Sequence, residues 1–359
     1  MRTSEVIKTL VLAPDKQYTR LSEGSFIRLK NGNILFAFSR FQNGYEDDSP
    51  SNIVAIESAD EGKTWSAPRK LIDARRDYQT SNVMSCSLLR MQNGDLGLFY
   101  IVKANEYTYQ VWLSRSNDEG RTFYRNIECS AHRGDGIYVM NNHRVMRLQS
   151  GRILIPIAYH RISRLDNNRR YYDFRATTLF LLSDDDGESF RESNTTLYMP
   201  LQRSYSGLQE PGAIQLQNGI IWSYMRTDMM FQFESYSLDE GMTWTQAQPS
   251  RFTSPCSPML IERCPWDNTL YAIFNPIPEY LGRNAPKEGR GRTPLVYAKS
   301  IDDGKTWTDE YIIEDDPNAG YCYPACFFTN DGYMLSSYCS GTVEQGSCLV
   351  QTTIARIKI

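Results

Sequence analysis

The sequence has no run of 18 or more apolar residues, so it offers no helix able to cross a membrane. It has no basic excess either. Thirty-nine Lys and Arg stand against 42 Asp and Glu, a net charge of −3, which argues against a nucleic-acid binder. Its eight cysteines, at positions 86, 129, 256, 264, 322, 326, 339 and 348, form no Cys-x-x-Cys pair, so zinc-like spacing is missing. They read as buried thiols, with a disulfide inside the Cys322–Cys348 group as the open alternative. Histidine is scarce, at three residues. The first 15 residues hold only the short mixed run Val6 to Leu12, with Lys8 inside it and no small-residue cleavage site. That run reads as a strand rather than a signal peptide. It leaves either a cytoplasmic protein or one whose leader has been removed.

What is present is aromatic and globular. Hydrophobic residues make up 41%, charged residues 23% and aromatics 12% of the chain, which excludes wholesale disorder. At about 150 residues per domain, 359 residues would suggest two or three domains, unless the chain is a repeat. It is a repeat. The pattern Ser-x-Asp-x-Gly-x-(Thr/Ser)-(Trp/Phe) occurs five times, over Ser58–Trp65, Ser116–Phe123, Ser183–Phe190, Ser237–Trp244 and Ser300–Trp307. In a tight β-turn the carboxylates of Asp60, Asp118, Asp185, Asp239 and Asp302 can bond backbone amides of their own turns. The Gly takes the positive-φ position, and the aromatic ring packs back beneath the hairpin.

A weaker repeat precedes each octapeptide: an apolar run, a Gly or Asn turn, and a second apolar run. The turns fall at Gly32, Gly94, Gly151, Gly219, Asn268 and Gly332. These are hairpin signals. The unit is then about 60 residues with four strands, present six times, which predicts an all-β, six-bladed β-propeller of four-stranded antiparallel blades. Residues 1–359 form one such domain. The last unit lacks the octapeptide, and Val6–Leu12 is expected to supply its outer strand, with Ser347–Ile359 also near the seam.

In an up-and-down blade the Gly turns and the octapeptides share one face, so a ligand would meet the other. Nine residues before the turn Gly stand Glu23, Ser85, Asn142, Glu210 and Tyr323, with Ser257 near the equivalent place in the fifth unit. All are polar inside segments that otherwise read as buried strands, which points to a functional mouth.

The octapeptide resembles the Asp-box of sialidases and BNR-repeat proteins, and the resemblance extends over essentially the full length. Asp-boxes also occur in non-enzymatic propellers, so the repeat speaks for the fold and not for an activity. Glu210 and Tyr323 match the sialidase arrangement, in which a Glu of the fourth blade activates a Tyr of the sixth. The resemblance implies a retaining exo-glycosidase with Tyr323 as nucleophile and Glu210 as its base. A neutral phenol suits an anomeric carbon that bears a carboxylate, and its pKa near 10 calls for a base. The family's substrate carboxylate is held by three arginines. Arg226 fits the second, and Arg292 the third, with Arg290 and Arg283 as neighbours. The family's acid/base falls on the loop Arg40–Pro50, as Asp47 or Asp48. Asn142, His143 and Arg144, with Arg169, Arg170 and Asp173, are candidates for reading sugar hydroxyls, as is Ser85.

One position departs from the family. Where sialidases carry Arg-Ile-Pro at the start of the first inner strand, this chain has Ser22-Glu23, with Arg20 two residues earlier and Arg28 deeper in the strand. Arg20 is the candidate replacement, and Glu23 adds a carboxylate beside the clamp. The expected partner is therefore a glycan ending in sialic acid or a related acidic sugar. The alternatives are a glycosidase for a different sugar and a non-catalytic, glycan-binding Asp-box propeller.

Overall fold

Strands dominate the computed structural model, which describes residues 1–130, 136–164, 169–277, 291–342 and 344–359. The single helix among the described residues, Ala74–Tyr78, is one short turn whose N-cap Asp73 accepts from the amides of Arg75 and Arg76.

The strands pair in chain order, four at a time. Arg20–Arg28, Ile34–Phe41, Ser51–Ser58 and Arg69–Ile72 form one antiparallel sheet. Gln209–Gln215, Ile221–Arg226, Phe231–Ser237 and Gln248–Thr253 form another. Leu260–Arg263, Leu270–Phe274, Leu295–Ser300 and Tyr311–Glu314 form a third, to which Arg2–Thr3 adds in parallel. In the last sheet Ala319–Phe328, Tyr333–Thr342 and Gln351–Lys358 are completed by Val6–Leu12, the outer strand expected from the opposite end of the chain.

The second and third units depart from this regularity. The strand Gly136–Val139 runs parallel to Thr108–Ser116 and antiparallel to Ile153–His160, and so welds both units into a nine-stranded sheet. The third unit's inner strand shrinks to Met146–Arg147, and the backbone before it turns at His143 with φ 57°.

Buried Leu, Ile, Val, Phe and Tyr from the strands fill the layers between sheets, and several of the largest are wholly buried: Phe36, Phe99, Phe180, Tyr100 and Tyr338. The octapeptides close the turn between the third and fourth strand of a unit. In the first, Ser58 Oγ donates to Asp60 Oδ1 at 2.8 Å, while Thr64 donates its amide at 2.8 Å and its hydroxyl at 2.6 Å to the same carboxylate. The second copy repeats these contacts through Ser116, Asp118 and Thr122.

The turns also tie units to one another. The residue before the Gly is acidic in all five copies and adopts a left-handed conformation: Glu61, Glu119, Asp186, Glu240 and Asp303, with φ between 58° and 64°. Glu119 accepts from the amide of Lys30 in the preceding unit, Asp186 from Gln92, and Asp303 from Gln217. Glu61 accepts from the amide of Asn330 at 2.9 Å, 269 residues away, which joins the last unit to the first. A Cβ on Gly62 would lie 2.7 Å from the Leu335 side chain, so glycine there allows the same two units to close on each other. This acid is readable in the sequence as the fourth position of the octapeptide.

Candidate functional site

At the strand ends opposite the Asp-boxes, the innermost strands share a backbone device. Each regular inner strand slips register by one residue, between Ser22 and Ser25, Met84 and Ser87, Gln209 and Gly212, and Cys322 and Ala325. The residue in the bulge has positive φ: Glu23 at 61°, Ser85 at 54°, Glu210 at 45° and Tyr323 at 53°. In the third and fifth units the left-handed residues are His143 and Cys256, each one place from the Asn142 and Ser257 that the count from the turn selects. Such a conformation costs about 1–3 kcal/mol for a residue other than glycine. Four of the count's positions are thus bulge residues, and a bulge re-aims a side chain.

Over this end lies a cavity of about 1090 Å³. Arg20, Asp47, Asp48, Glu210, Arg226, Arg292 and Tyr323 all line it. The Tyr323 hydroxyl donates to Glu210 Oε1 at 2.7 Å. Arg226 Nη1 reaches the same oxygen at 2.8 Å and the Tyr323 oxygen at 3.5 Å. Glu210 Oε2 is buried with no hydrogen-bond partner among the described residues. Burial raises the Glu210 carboxyl, but the charge and hydrogen bond of Arg226, the Tyr323 hydroxyl and the Arg292 charge together outweigh it and hold the pKa below the usual glutamate value. Burial, then the Glu210 charge, push the Tyr323 phenol well above 10, against the pull of Arg226 and Arg292. The resting pair is therefore a carboxylate and a neutral phenol.

Of the cations that line the cavity, Arg292 is the buried one that pairs with no carboxylate among the described residues. Its Nη1 lies 3.2 Å from Cys322 Sγ, its Nη2 donates to the Cys256 carbonyl at 3.4 Å, and its Nε is buried without a partner. Arg20 is engaged differently. Wholly buried, it bonds Ser22 Oγ at 2.8 Å, Asp47 Oδ1 at 2.6 Å and Glu23. Ser85 donates to the other Glu23 oxygen. Burial raises the Glu23 carboxyl more than Arg20 lowers it. At Asp47 burial also acts upward, but Arg20 and Lys103 prevail and hold it below the usual aspartate value. Asp48 is bonded instead by the Tyr109 hydroxyl at 3.1 Å and Lys103 Nζ at 3.3 Å.

Five other candidates lie elsewhere. Glu23, Ser85, Asn142, His143 and Arg144 are not among the cavity-lining residues, which corrects the expectation that they stand at the mouth. Glu23 and Ser85 sit buried behind Arg20. Asn142 Nδ2 donates to the Gly24 carbonyl at 2.8 Å. His143 Nδ1 meets Ser25 Oγ at 2.8 Å, and burial lowers its pKa to about 4. Arg144 Nη2 donates to the Met259 carbonyl at 2.6 Å. These polar groups hold inner strands together; for Asn142, His143 and Arg144 the count missed this because it assumes a regular strand in the third unit.

Arg170 stacks over Tyr107 at 5.4 Å, and Asp173 lies 3.6 Å from Arg161. Arg28 belongs to the far end, where it pairs with Glu61 at 2.9 Å. Arg283 and Arg290 fall outside the described residues. All eight cysteines are thiols, and Cys322 Sγ and Cys348 Sγ are 4.0 Å apart, so the disulfide alternative is not realised. Lys103, Tyr109, His160, Tyr172 and Phe174 also line the cavity. Only Lys103 and His160, on the second strands Leu96–Asn105 and Ile153–His160, could have been found by counting from their turns.

Residues 72–335 match the BNR repeat-like domain family. The chain belongs to this BNR repeat-like family. Its similarity to solved structures extends over nearly the whole length. A Dyadobacter fermentans protein of unknown function superposes with a TM-score of 0.72 at 18% identity, covering 98% of this chain and 99% of that one. The NanB sialidase of Streptococcus pneumoniae, as its K499G mutant, gives 0.70 at 14% identity, covering 100% and 70%. A leech intramolecular trans-sialidase complexed with 2,7-anhydro-Neu5Ac gives 0.68 at 14%, covering 99% and 70%. No curated protein matches by sequence. The BNR chain is thus sialidase-like in fold, at identities that carry the fold alone.

Proposed function

We propose that this BNR protein is a sialidase-like exo-glycoside hydrolase, which removes a terminal sialic acid or related acidic sugar with retention of configuration. The observation that carries the reading is the 2.7 Å bond from the Tyr323 phenol to a Glu210 carboxylate held ionised by Arg226. The scaffold is read as a closed ring of six blades over residues 1–359. The repeated unit-to-unit contacts, and the Glu61–Asn330 bond between first and last units, support it.

In the first step the Tyr323 oxygen attacks the anomeric carbon as the glycosidic C–O bond breaks. Glu210 takes the phenol proton, and the leaving oxygen receives a proton from Asp48. In the second step Asp48 takes a proton from water, which attacks the same carbon. The Tyr323–sugar bond breaks and Glu210 returns the proton. Asp48 is preferred to Asp47 because Arg20 holds Asp47 in its charged form, which makes it a poor acid. Arg292, with no carboxylate partner among the described residues, and Arg226 would grip the substrate anion. No step calls for a metal or organic cofactor.

Because Arg20 is tied to Glu23 and Asp47, a second reading keeps the chemistry and changes the sugar. A panel of aryl glycosides that includes sialosides separates the two, and NMR of the first-formed anomer tests retention. Turnover undiminished in Tyr323→Phe and Glu210→Gln would refute both. Glycan binding by the native protein without any turnover would favour a non-catalytic role.

A further inference from the structure

The cavity continues outward along one wall of aromatic rings. His160 and Tyr172 lie 4.9 Å apart, Tyr172 and Phe174 6.2 Å, and Phe174 stacks on Tyr205 at 4.7 Å and 23°. Exposure climbs along the row: 4% at His160, 40% at Phe174 and 71% at Tyr205. His160, Tyr172 and Phe174 line the cavity, whereas Tyr205 stands beyond it.

An aromatic ring so exposed would ordinarily be mobile, yet the backbone beneath Tyr205 is pinned. Asp228 accepts from the Tyr205 amide at 2.8 Å, from Ser204 Oγ at 2.6 Å and from Ser206 Oγ at 3.1 Å, and its own amide donates to Ser206 Oγ at 3.0 Å. Asp228 lies two residues beyond Arg226, at the end of the strand Ile221–Arg226 that delivers that cation to the cavity. The platform is therefore fixed to the same element as the catalytic pair's arginine.

The row also begins beside the acid. Tyr109 donates to Asp48 at 3.1 Å, and the charges of Asp47 and Asp48 both reach Tyr109 and Tyr172. A leaving group protonated from this loop departs on the side where the rings start. Flat, exposed, rigid rings suit the apolar C–H faces of neutral sugars, while an anion would gain nothing from their negative π-faces.

We infer that Phe174 and Tyr205 form a binding subsite for the neutral sugars on the leaving-group side of the cut bond, so that the natural substrate is an oligosaccharide rather than a short glycoside. This rests on the proposed glycosidase chemistry for its direction, and the test separates the two. Steady-state kinetics on 3′-sialyllactose and on methyl sialoside are compared for the native protein and Tyr205→Ala. Calorimetry measures lacto-N-tetraose, a neutral tetrasaccharide, binding to Tyr323→Phe with and without Tyr205→Ala. Because Tyr205 is largely exposed, its loss should leave the fold intact.

Tyr205→Ala should lower kcat/KM for sialyllactose about tenfold and for the methyl glycoside less than about twofold, and should weaken tetrasaccharide binding. Phe174→Ala should change the same ratio in the same direction. Both sialosides hydrolysed, with the ratio unchanged in Tyr205→Ala and no tetrasaccharide bound, would overturn the subsite and leave the glycosidase. Tetrasaccharide bound through Tyr205 without hydrolysis of either sialoside would keep the subsite and overturn the glycosidase.

Discussion

The two ends of this molecule use the same backbone state for opposite purposes. At the Asp-box end, the left-handed residues Glu61, Glu119, Asp186, Glu240 and Asp303 are all acids, and three of them receive an amide from the unit before while Glu61 receives one from the last. At the cavity end, the left-handed residues Glu23, Ser85, His143, Glu210, Cys256 and Tyr323 have six different chemical settings. A repeat that must join units keeps its side chains alike. A repeat that must build a site keeps the bend and lets the side chains vary, here over five residue types at six positions. Two of the six, Glu210 and Tyr323, come within 2.7 Å of each other across the cavity, although 113 residues separate them in the chain.

If the comparison is right, damage at the two ends separates into activity and stability. The largest effect belongs to the cavity. Tyr323→Phe removes the oxygen proposed as nucleophile and should cut kcat/KM at least about a thousandfold, while thermal unfolding monitored by circular dichroism stays close to native. A matching fall in melting temperature would mean that the residue is structural.

Acid should act on both ends, because Glu210 and Asp47 are also held below their usual values, and most repeatedly on the Asp-boxes. Burial raises Asp60, but the Thr64 hydroxyl and amide outweigh it and lower its pKa to about 2. Thr122 does the same for Asp118, and Thr306 for Asp302. A carboxyl whose pKa is depressed by folding stabilises the fold above its unfolded value near about 4, and that contribution disappears as pH falls towards 2. Urea unfolding midpoints measured from pH 5 to pH 2 should drop across this window. A flat profile would show that the turns contribute little.

A single turn should cost less. Asp118→Ala strips the acceptor from Ser116 and Thr122 and should destabilise by about 1–2 kcal/mol with kcat/KM unchanged. A large kinetic defect would break the separation of the two ends.

The smallest effect distinguishes boxes within the same end. Glu119 pairs with Arg90 through two bonds of 2.6 and 2.8 Å and accepts from Lys30, whereas the Glu240 carboxylate lies 4.0 Å from Arg152. Both sit at φ near 60°, where glycine relieves strain. Glu240→Gly should therefore lie within about 0.5 kcal/mol of native in chemical denaturation, and Glu119→Gly should lose about 1–2 kcal/mol.

Much of this was legible because both repeats are counted from glycine turns. The Asp-boxes marked where third strands end, and the nine-residue count reached Glu210 and Tyr323 because their strands are regular apart from one bulge. The same count slipped by one place at His143 and Cys256, where the inner strand is broken or its turn irregular. It also could not tell a bulge residue aimed into the cavity from one buried behind it, such as Glu23 under Arg20, since that depends on partners far away in the chain. Tyr109 and Tyr172 stayed hidden for a similar reason: they belong to strand ends and loops whose lengths vary between units. The link between the second and third units through Gly136–Val139 left no periodic signal at all.

The most direct test of the central claim is to find where the sugar becomes attached. The protein is treated with 3-fluorosialosyl fluoride, whose fluorine slows the second step, then quenched, digested and measured by mass spectrometry. The account predicts a sialosyl adduct on the peptide containing Tyr323, absent from Tyr323→Phe. Release of fluoride with the adduct on another residue, or equal release by Tyr323→Phe, would contradict it.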